Sequence, residues 1–391
     1  MTSAGPALLV VDDNEDNRAL LTTRLGRLGY HDVTEAENGR QALELLRGQP
    51  FDLVLLDVMM PEVNGYQVLE QLRAEGRLTH LPVIMVSALT ELDSVIRCIE
   101  LGAEDYLTKP LNATLLKARV GACLEKKRLR DEVTRYLDRM ERELASAREI
   151  QLGMVPTVFP APSPTCPVEI FATLEPARQV GGDLYDVFAL DTGEMCFVVA
   201  DVSDKGAPAA LFMARTKTLT HLVATLLRLP DGGAPGPGEI LARVNVELCR
   251  DNDQGMFVTL FFGMLDPMSG KLTFCNAGHN APYVLSPRSG IAPLVGARSK
   301  PLGIRPTLPY ESTTSSLAPG DGLFLFTDGI TEAMDPEGVL FSEERLEAAL
   351  AAQAGGTPRA VVEAVLSEVR AFAAGAPQSD DIAAMALRRV E

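Results

Sequence analysis

Between residues 7 and about 120 an apolar run and an amphipathic stretch alternate five times. The runs are ALLVV (7–11), DVTEA (32–36), FDLVLLD (51–57), PVIMVSA (82–88) and DYLTK (105–109). The stretches between them, such as NRALLTTRLGRLG and GRQALELLRGQ, place apolar residues at i, i+3 and i+4, the period of a helix with one buried face. Runs this continuous suit strands buried on both faces. Their alternation with helices specifies a parallel, doubly wound α/β sheet. Gly29, Gly48 and Gly102 stand where helices should stop.

The fifth helical pattern does not stop there. From Ala113 to Met154 no proline interrupts it, and Val133, Leu137, Met140, Leu144 and Ala147 recur at alternating spacings of 4 and 3 amid charged residues. That is the seam of a coiled coil barely two heptads long, and equally the pattern of a single solvated connector helix. The loop VPTVFPAPSPTCP ends it. Beyond it, β-like runs (MCFVVAD, MFVTLFFGML, KLTFCNAG, GLFLFTD, IAAMAL) mix with helical patterns at 208–228, 238–250, 343–353 and 358–373. LDPMSGKL carries a hairpin signal, and PDGGAPGPG (230–238) reads as a flexible loop. This less regular order points to an α+β unit. The expected division is 1–122, a helical linker over 123–160, and 161–391.

Charge narrows the function. With 53 acids against 36 bases the formal net charge is -17, which argues against nucleic acid as a ligand, because phosphate-backbone binding needs a clustered positive field. No stretch approaches the ~18 consecutive apolar residues of a membrane span. The start, MTSAGPALLVVDD, lacks the basic-then-apolar build of a signal peptide. Six single cysteines without a CxxC pair suit reduced thiols, and only four histidines are present, so metal chemistry must rest on carboxylates. The expectation is a soluble, cytoplasmic protein.

Asp12 and Asp13 end the first run, Asp57 the third, Ser87 the fourth and Lys109 the fifth. In an open parallel sheet the strand C-termini border one crevice. Carboxylates gathered there repel one another unless a hard cation such as Mg2+ sits among them. Lys109 and Ser87 suit a phosphoryl group as point charge and hydrogen-bond donor, with Asp57 as the nucleophile that forms an aspartyl phosphate. VVDDNEDNR, LVLLDVMMPEVNGYQVLEQLR, VIMVSA and DYLTKP resemble the receiver domain of two-component response regulators, over residues 7 to about 122. The resemblance implies a flavodoxin-like fold and phosphorylation of Asp57 by a histidine kinase. It also implies Mg2+ held by Asp13, Asp57 and the Met59 carbonyl with Asp12 in support, Ser87 and Tyr106 as switch residues, and a cis peptide before Pro110.

The last unit spreads its acids over GGDLYD, ADVSDKG, FTDGITEA and QSDDI. Carboxylates converging from separate strands without histidine or cysteine describe a site for Mg2+ or Mn2+. Two such ions can share a carboxylate and activate water for direct attack on a phosphate, with no phosphoenzyme. VGGDLYD, FVVADVSDKGAPAALFMA, TFCNAGHNAP, LFTDGITEA and SDDI resemble the PP2C-type metal-dependent serine/threonine phosphatases, closest to the bacterial branch that includes RsbU and SpoIIE, and the connector's AREIQLGMVP shares that likeness. The resemblance implies an αββα sandwich. Asp201 would bridge both metals beside the Val202 carbonyl, Asp328 and Asp380 would hold one, and Asp183 the other. Asp381 and Asp186 serve either as ligands or as loop braces, and Arg178 matches a phosphate-clamping arginine. His279 reads as a loop-bonding residue rather than a general acid. Leu184 and Ala383 depart from the usual Phe and Thr without touching a proposed ligand.

The reading is thus a response regulator whose output is a two-metal phosphatase, acting on a phosphoserine or phosphothreonine protein, an anti-sigma-factor antagonist by resemblance. The long helix would carry the signal, through a homodimeric coiled coil. The alternative is a phosphatase-like domain without turnover that binds its partner under phosphorylation control.

Overall fold

The computed structural model describes residues 5–88, 92–159, 161–229 and 234–390, so the first four residues of the 230–238 loop lie outside the described part. The chain divides into two compact units, 1–141 and 142–391.

In the first unit the elements alternate as β1 (Leu8–Val11), α1 (Glu15–Arg27), β2 (Val33–Ala36), α2 (Gly39–Gly48), β3 (Leu53–Asp57), α3 (Gly65–Ala74), β4 (Val83–Ser87), α4 (Leu92–Glu100) and β5 (Asp105–Thr108). All strand pairs are parallel, in the order β2-β1-β3-β4-β5. One core layer lies between the sheet and α2 and α3, with Leu9, Leu56, Leu43 and Leu69 in it. The other lies between the sheet and α1 and the start of α5 (Ala113–Met154), with Leu8, Leu55, Leu21 and Leu116. Burial on both faces is why the central strands read as unbroken apolar runs. Asn14, Asn38 and Asn64 cap α1, α2 and α3 through their side chains, and α1 and α2 begin within a few residues of the strand before them.

α5 has 42 residues and, at the helical rise, spans about 63 Å. Val133, Tyr136, Leu137 and Met140 are exposed on it.

The second unit runs β6 (Val168–Glu175), β7 (Leu184–Ala189), β8 (Met195–Val202), α6 (Ala207–Leu226), α7 (Pro237–Cys249), β9 (Val258–Leu265), β10 (Lys271–Ala277), β11 (Tyr283–Ser286) and β12 (Gly290–Pro293). It continues with β13 (Arg298–Ser299), β14 (Thr313–Ser316), β15 (Gly322–Phe326), α8 (Ser342–Ala352), α9 (Pro358–Ala373) and β16 (Ile382–Arg389). One sheet is ordered β13-β10-β9-β8-β7 with β14 on β10, and the other β12-β11-β15-β16-β6. Their inner faces meet through Phe197, Phe261, Phe274, Leu325 and Met385. α6 and α7 cover the outer face of the first sheet over Val198, Phe262 and Leu241, and α8 and α9 the outer face of the second over Phe324, Leu346 and Val362. The order of layers is αββα. The β9–β10 hairpin closes through Asp266 with Gly270 at positive φ, as LDPMSGKL predicts.

Candidate functional site

At the C-terminal edge of the parallel sheet, single oxygens of Asp12, Asp13 and Asp57 lie within 4.8 Å of one another, a grouping unique among the described residues. Lys109 Nζ donates to Asp12 Oδ2 at 2.7 Å and to Asp57 Oδ2 at 3.0 Å. Asp12 is fully buried and held by donation from the Asn14 N–H and Asn17 Nδ2 to its Oδ1, both at 3.0 Å. Burial raises the Asp57 carboxyl above its ordinary range, and the Lys109 ammonium opposes that rise. Asp13 and Met59 are exposed, Ser87 is buried at the end of β4, and Tyr106 packs partly buried on the core. The Lys109–Pro110 peptide is cis. Gly65 is required here, since a Cβ on it would lie 2.2 Å from the Asp57 carbonyl oxygen.

The second acid cluster forms where the two sheets of the sandwich end together. Asp183 precedes β7, Asp201 lies near the end of β8, Asp328 follows β15 and Asp380 precedes β16. Asp183 is buried and accepts from Thr327 Oγ1 at 2.6 Å, while the same hydroxyl accepts from the Ala383 N–H at 2.8 Å. Burial, and then the charge of Asp201, hold the Asp183 carboxyl well above its usual range. Burial, and then Asp328, push Asp201 up to about 7, and Asp328 is raised by burial and then by Glu332 and Asp380. The Val202 carbonyl faces Gly182, where a Cβ would lie 2.9 Å from it.

Lys205 donates to Asp380 Oδ2 at 2.7 Å and to the Ser379 carbonyl at 2.9 Å. Arg178 is exposed. Asp381 spends both oxygens on backbone, accepting from Ala177 N–H at 2.8 Å and Gly182 N–H at 2.7 Å. Asp186 instead faces α6, 2.8 Å from Lys217 Nζ and 3.4 Å from His221 Nδ1. In this structure Asp381 thus holds loop backbone and Asp186 pairs with α6. His279 is buried, pushed down to about 4 by that burial, and tied to Thr259 Oγ1 at 2.9 Å and to Asn276 through its backbone. Thr327, Lys205 and Gln151 take part in this region although sequence reasoning gave them no role. Their motifs, FTDG, SDKG and REIQ, were in view, but their partners lie far along the chain.

Both clusters offer oxygen donors only, which suits Mg2+ or Mn2+. Buried carboxylates raised by one another are the condition that a divalent cation relieves. The donor chemistry therefore fits the metals implied for both folds, and among the described residues the receiver acids alone already stand within 4.8 Å of one another.

Fold and sites together define a response-regulator receiver domain followed by a PP2C-type domain. A family model described as Stage II sporulation protein E (SpoIIE) matches residues 191–390, just over half of the chain, and a response regulator receiver domain model matches residues 8–121. The chain belongs to the SpoIIE family. The SpoIIE match begins after Asp183, whose place in the cluster rests on the geometry above. Protein IcfG of Synechocystis sp. is 30% identical over 267 residues, 63% of this chain and 41% of that protein. A probable cyclic di-GMP phosphodiesterase of Vibrio cholerae is 39% identical over 137 residues, 35% of this chain and 31% of that protein. The chain thus spans well under half the length of these curated relatives. The SiaA PP2C domain of Pseudomonas aeruginosa superposes with TM-score 0.56 at 21% identity, covering 65% of this chain and 98% of that domain, a likeness of fold. Among the described residues no helix is long and apolar enough to cross a membrane.

Proposed function

We propose that this chain is a protein serine/threonine phosphatase controlled by phosphorylation of Asp57. The observation that carries the reading is the set of mutually repelling carboxylates, one buried and the others half-buried, carried by two different sheets. Such an arrangement costs stability and is justified by a ligand. Two divalent ions bound there supply a lowered water pKa and neutralise phosphoryl oxygens. In this reading Asp201 serves both ions, with the Val202 carbonyl beside it, Asp183 serves one, and Asp328 and Asp380 the other. Arg178 receives the substrate phosphate. Asp381 keeps the Asp183 loop in place.

In the receiver, Asp13, Asp57 and the Met59 carbonyl hold one Mg2+ with Asp12 in support, and a histidine kinase supplies the phosphoryl group to Asp57. Lys109 and Ser87 then hold the new phosphate, and Tyr106 reports it. The domain bounds are 1–122, 123–160 and 161–391, with the exposed stripe of α5 pairing two copies. The substrate is a phosphoserine or phosphothreonine protein, by family likeness an anti-sigma-factor antagonist, and the protein works in the cytoplasm.

The test is hydrolysis of p-nitrophenyl phosphate with Mn2+, with and without beryllofluoride as a mimic of phospho-Asp57. Activity lost in Asp201→Asn, and altered by beryllofluoride in the native chain but not in Asp57→Ala, is the expected result. No Mn2+-dependent release from this ester or from a phosphoprotein would leave the last domain as a binding module.

A further inference from the structure

We infer that Gln151 and Arg148, on the last turns of α5, are positioning residues for the phosphatase site, acting through the loop that carries Arg178 and Asp183. The inference rests on the phosphatase reading and identifies what sets that site's geometry. Gln151 is buried, and its amide pairs with both backbone groups of Gly181: Nε2 donates to the carbonyl at 2.6 Å, and Oε1 accepts from the N–H at 3.1 Å. One helical turn earlier, Arg148 Nη1 donates to the Arg178 carbonyl at 2.9 Å. The two side chains stand at i and i+3 on one face, so the helix grips the loop at both ends. From the other side Asp381 holds the same loop at Ala177 and Gly182. Gly181 is packed so closely against Asp381 that a Cβ would lie 2.0 Å from its Oδ2. The loop is therefore pressed between α5 and the residue following Asp380, and Asp183 leaves it two residues after the Gln151 contact.

Directional hydrogen bonds fix how the helix sits on this loop. Beside Gln151, α5 and α6 flank an open apolar groove of about 300 Å³ lined by Leu144, Ile150, Met154, Val180, Ala210 and Leu211, several of them exposed. Incomplete packing leaves a helix free to slide unless directional bonds fix it. The end of α5 is anchored below by Val155 in the inter-sheet core and by Tyr185 Oη donating to the Pro156 carbonyl at 2.9 Å. Groups that orient a ligand are worth roughly 10–100-fold in metal affinity.

The test is direct Mn2+ binding to the full chain, read as loss of the free-ion paramagnetic resonance signal. Binding abolished by Asp201→Asn is assigned to the phosphatase site. Gln151→Met keeps the length and bulk of the side chain but removes both bonds to Gly181, and Arg148→Ala removes the contact to Arg178. Glu149→Ala, exposed between them, is the control. The expected result is a loss of roughly 10–100-fold in Asp201-dependent Mn2+ affinity in Gln151→Met and a smaller loss in Arg148→Ala, with Glu149→Ala unchanged. Native affinity in both variants, even with a lowered melting temperature, would overturn the inference and leave the contacts purely structural. If Gln151→Met does not fold, the surface change Arg148→Ala decides alone. Absence of any Asp201-dependent binding in the native chain would instead defeat the phosphatase reading.

Discussion

Asp201 makes a prediction of unusual sign: replacing it should stabilise the protein once metals are removed. Its carboxyl is pushed from 3.8 to about 7 by burial and by the charge of Asp328. At about 1.4 kcal/mol for each tenfold change in proton affinity, that rise corresponds to about 4 kcal/mol. The folded chain keeps a proton that the unfolded chain has already released, so stability falls as pH rises from about 4 to 7 and the loss is complete above that. Asp183 and Asp328 shift in the same direction and steepen the fall. Asp201→Asn cannot carry the charge, and its amide oxygen can still accept from the protonated Asp183. Because neighbouring acids share the repulsion, about half the full figure should return, about 2 kcal/mol, or about 4 to 8 °C in melting temperature for a unit of this size. The assay is scanning calorimetry in EDTA at pH 5, 7 and 8.5. The receiver transition of the same scans serves as the internal reference, since Asp201 lies outside that unit. Added Mn2+ should invert the ranking, because the native site gains about 2.7 kcal/mol at a hundredfold excess over Kd and the variant does not. A melting temperature that drops in Asp201→Asn at pH 8.5 in EDTA would refute the account of this cluster as uncompensated charge.

Three further changes test neighbouring features. Lys217→Met leaves Asp186 buried without its main counter-charge and should cost about 3 kcal/mol in urea unfolding, most of which Asp186→Asn in the same chain should restore. Gly65→Ala places a methyl 2.2 Å from the Asp57 carbonyl oxygen, so the receiver transition should lose about 2 kcal/mol and phosphorylation from acetyl phosphate should weaken; an unchanged transition would mean the loop yields without strain. His279 is neutral above about pH 4, so His279→Gln should lower stability by about 1 to 2 kcal/mol through the Thr259 contact while leaving the shape of the pH–rate profile between 6 and 9 intact. Disappearance of a limb of that profile would make His279 a proton donor after all.

The receiver half was legible because its signal is periodic and local. Strands buried on both faces write themselves as unbroken apolar runs, and its site residues stand at their ends, each visible at a fixed place in the pattern. The four long helices of the second unit were legible for the same reason: the expected 208–228 is Ala207–Leu226, and 358–373 is Pro358–Ala373. β6, β7 and β11 were missed because only continuous apolar runs were taken as strands, although VEIFATLE alternates with the period of a half-buried strand. The short strands β12, β13 and β14 lie at sheet edges, half exposed, with too few buried residues to leave a pattern. In the second site the acids were legible by type and motif, but their supports were not. Thr327 is an unremarkable threonine until the fold sets Asp183 on its hydroxyl, and Lys205 an ordinary surface lysine until Asp380 arrives from the end of the chain. Gln151 belongs to a helix that reads as solvated, and only the fold buries its amide against Gly181.

The two acid clusters of this chain solve the same electrostatic problem differently, and the difference follows their chemistry. In the receiver, one ammonium lies within hydrogen-bond distance of both Asp12 and Asp57, so part of the negative charge is neutralised by the chain itself. In the proposed reading this serves a nucleophilic carboxylate, because Asp57 must stay ionised despite burial and its product carries still more negative charge. In the second cluster, Asp183 is bonded to a neutral hydroxyl and Asp201 to another carboxyl, while Lys205 ion-pairs with Asp380 and opposes the rise of Asp328 only from a distance. A lysine placed among Asp183, Asp201 and Asp328 would satisfy them permanently and deny a cation its ligands. Leaving them uncompensated sacrifices stability in the isolated chain and raises the gain on metal binding by the same amount. In the proposed reading, a lysine therefore spans the reactive carboxylate of the receiver, whereas in the second site it stays at Asp380 and makes no contact with Asp183 or Asp201.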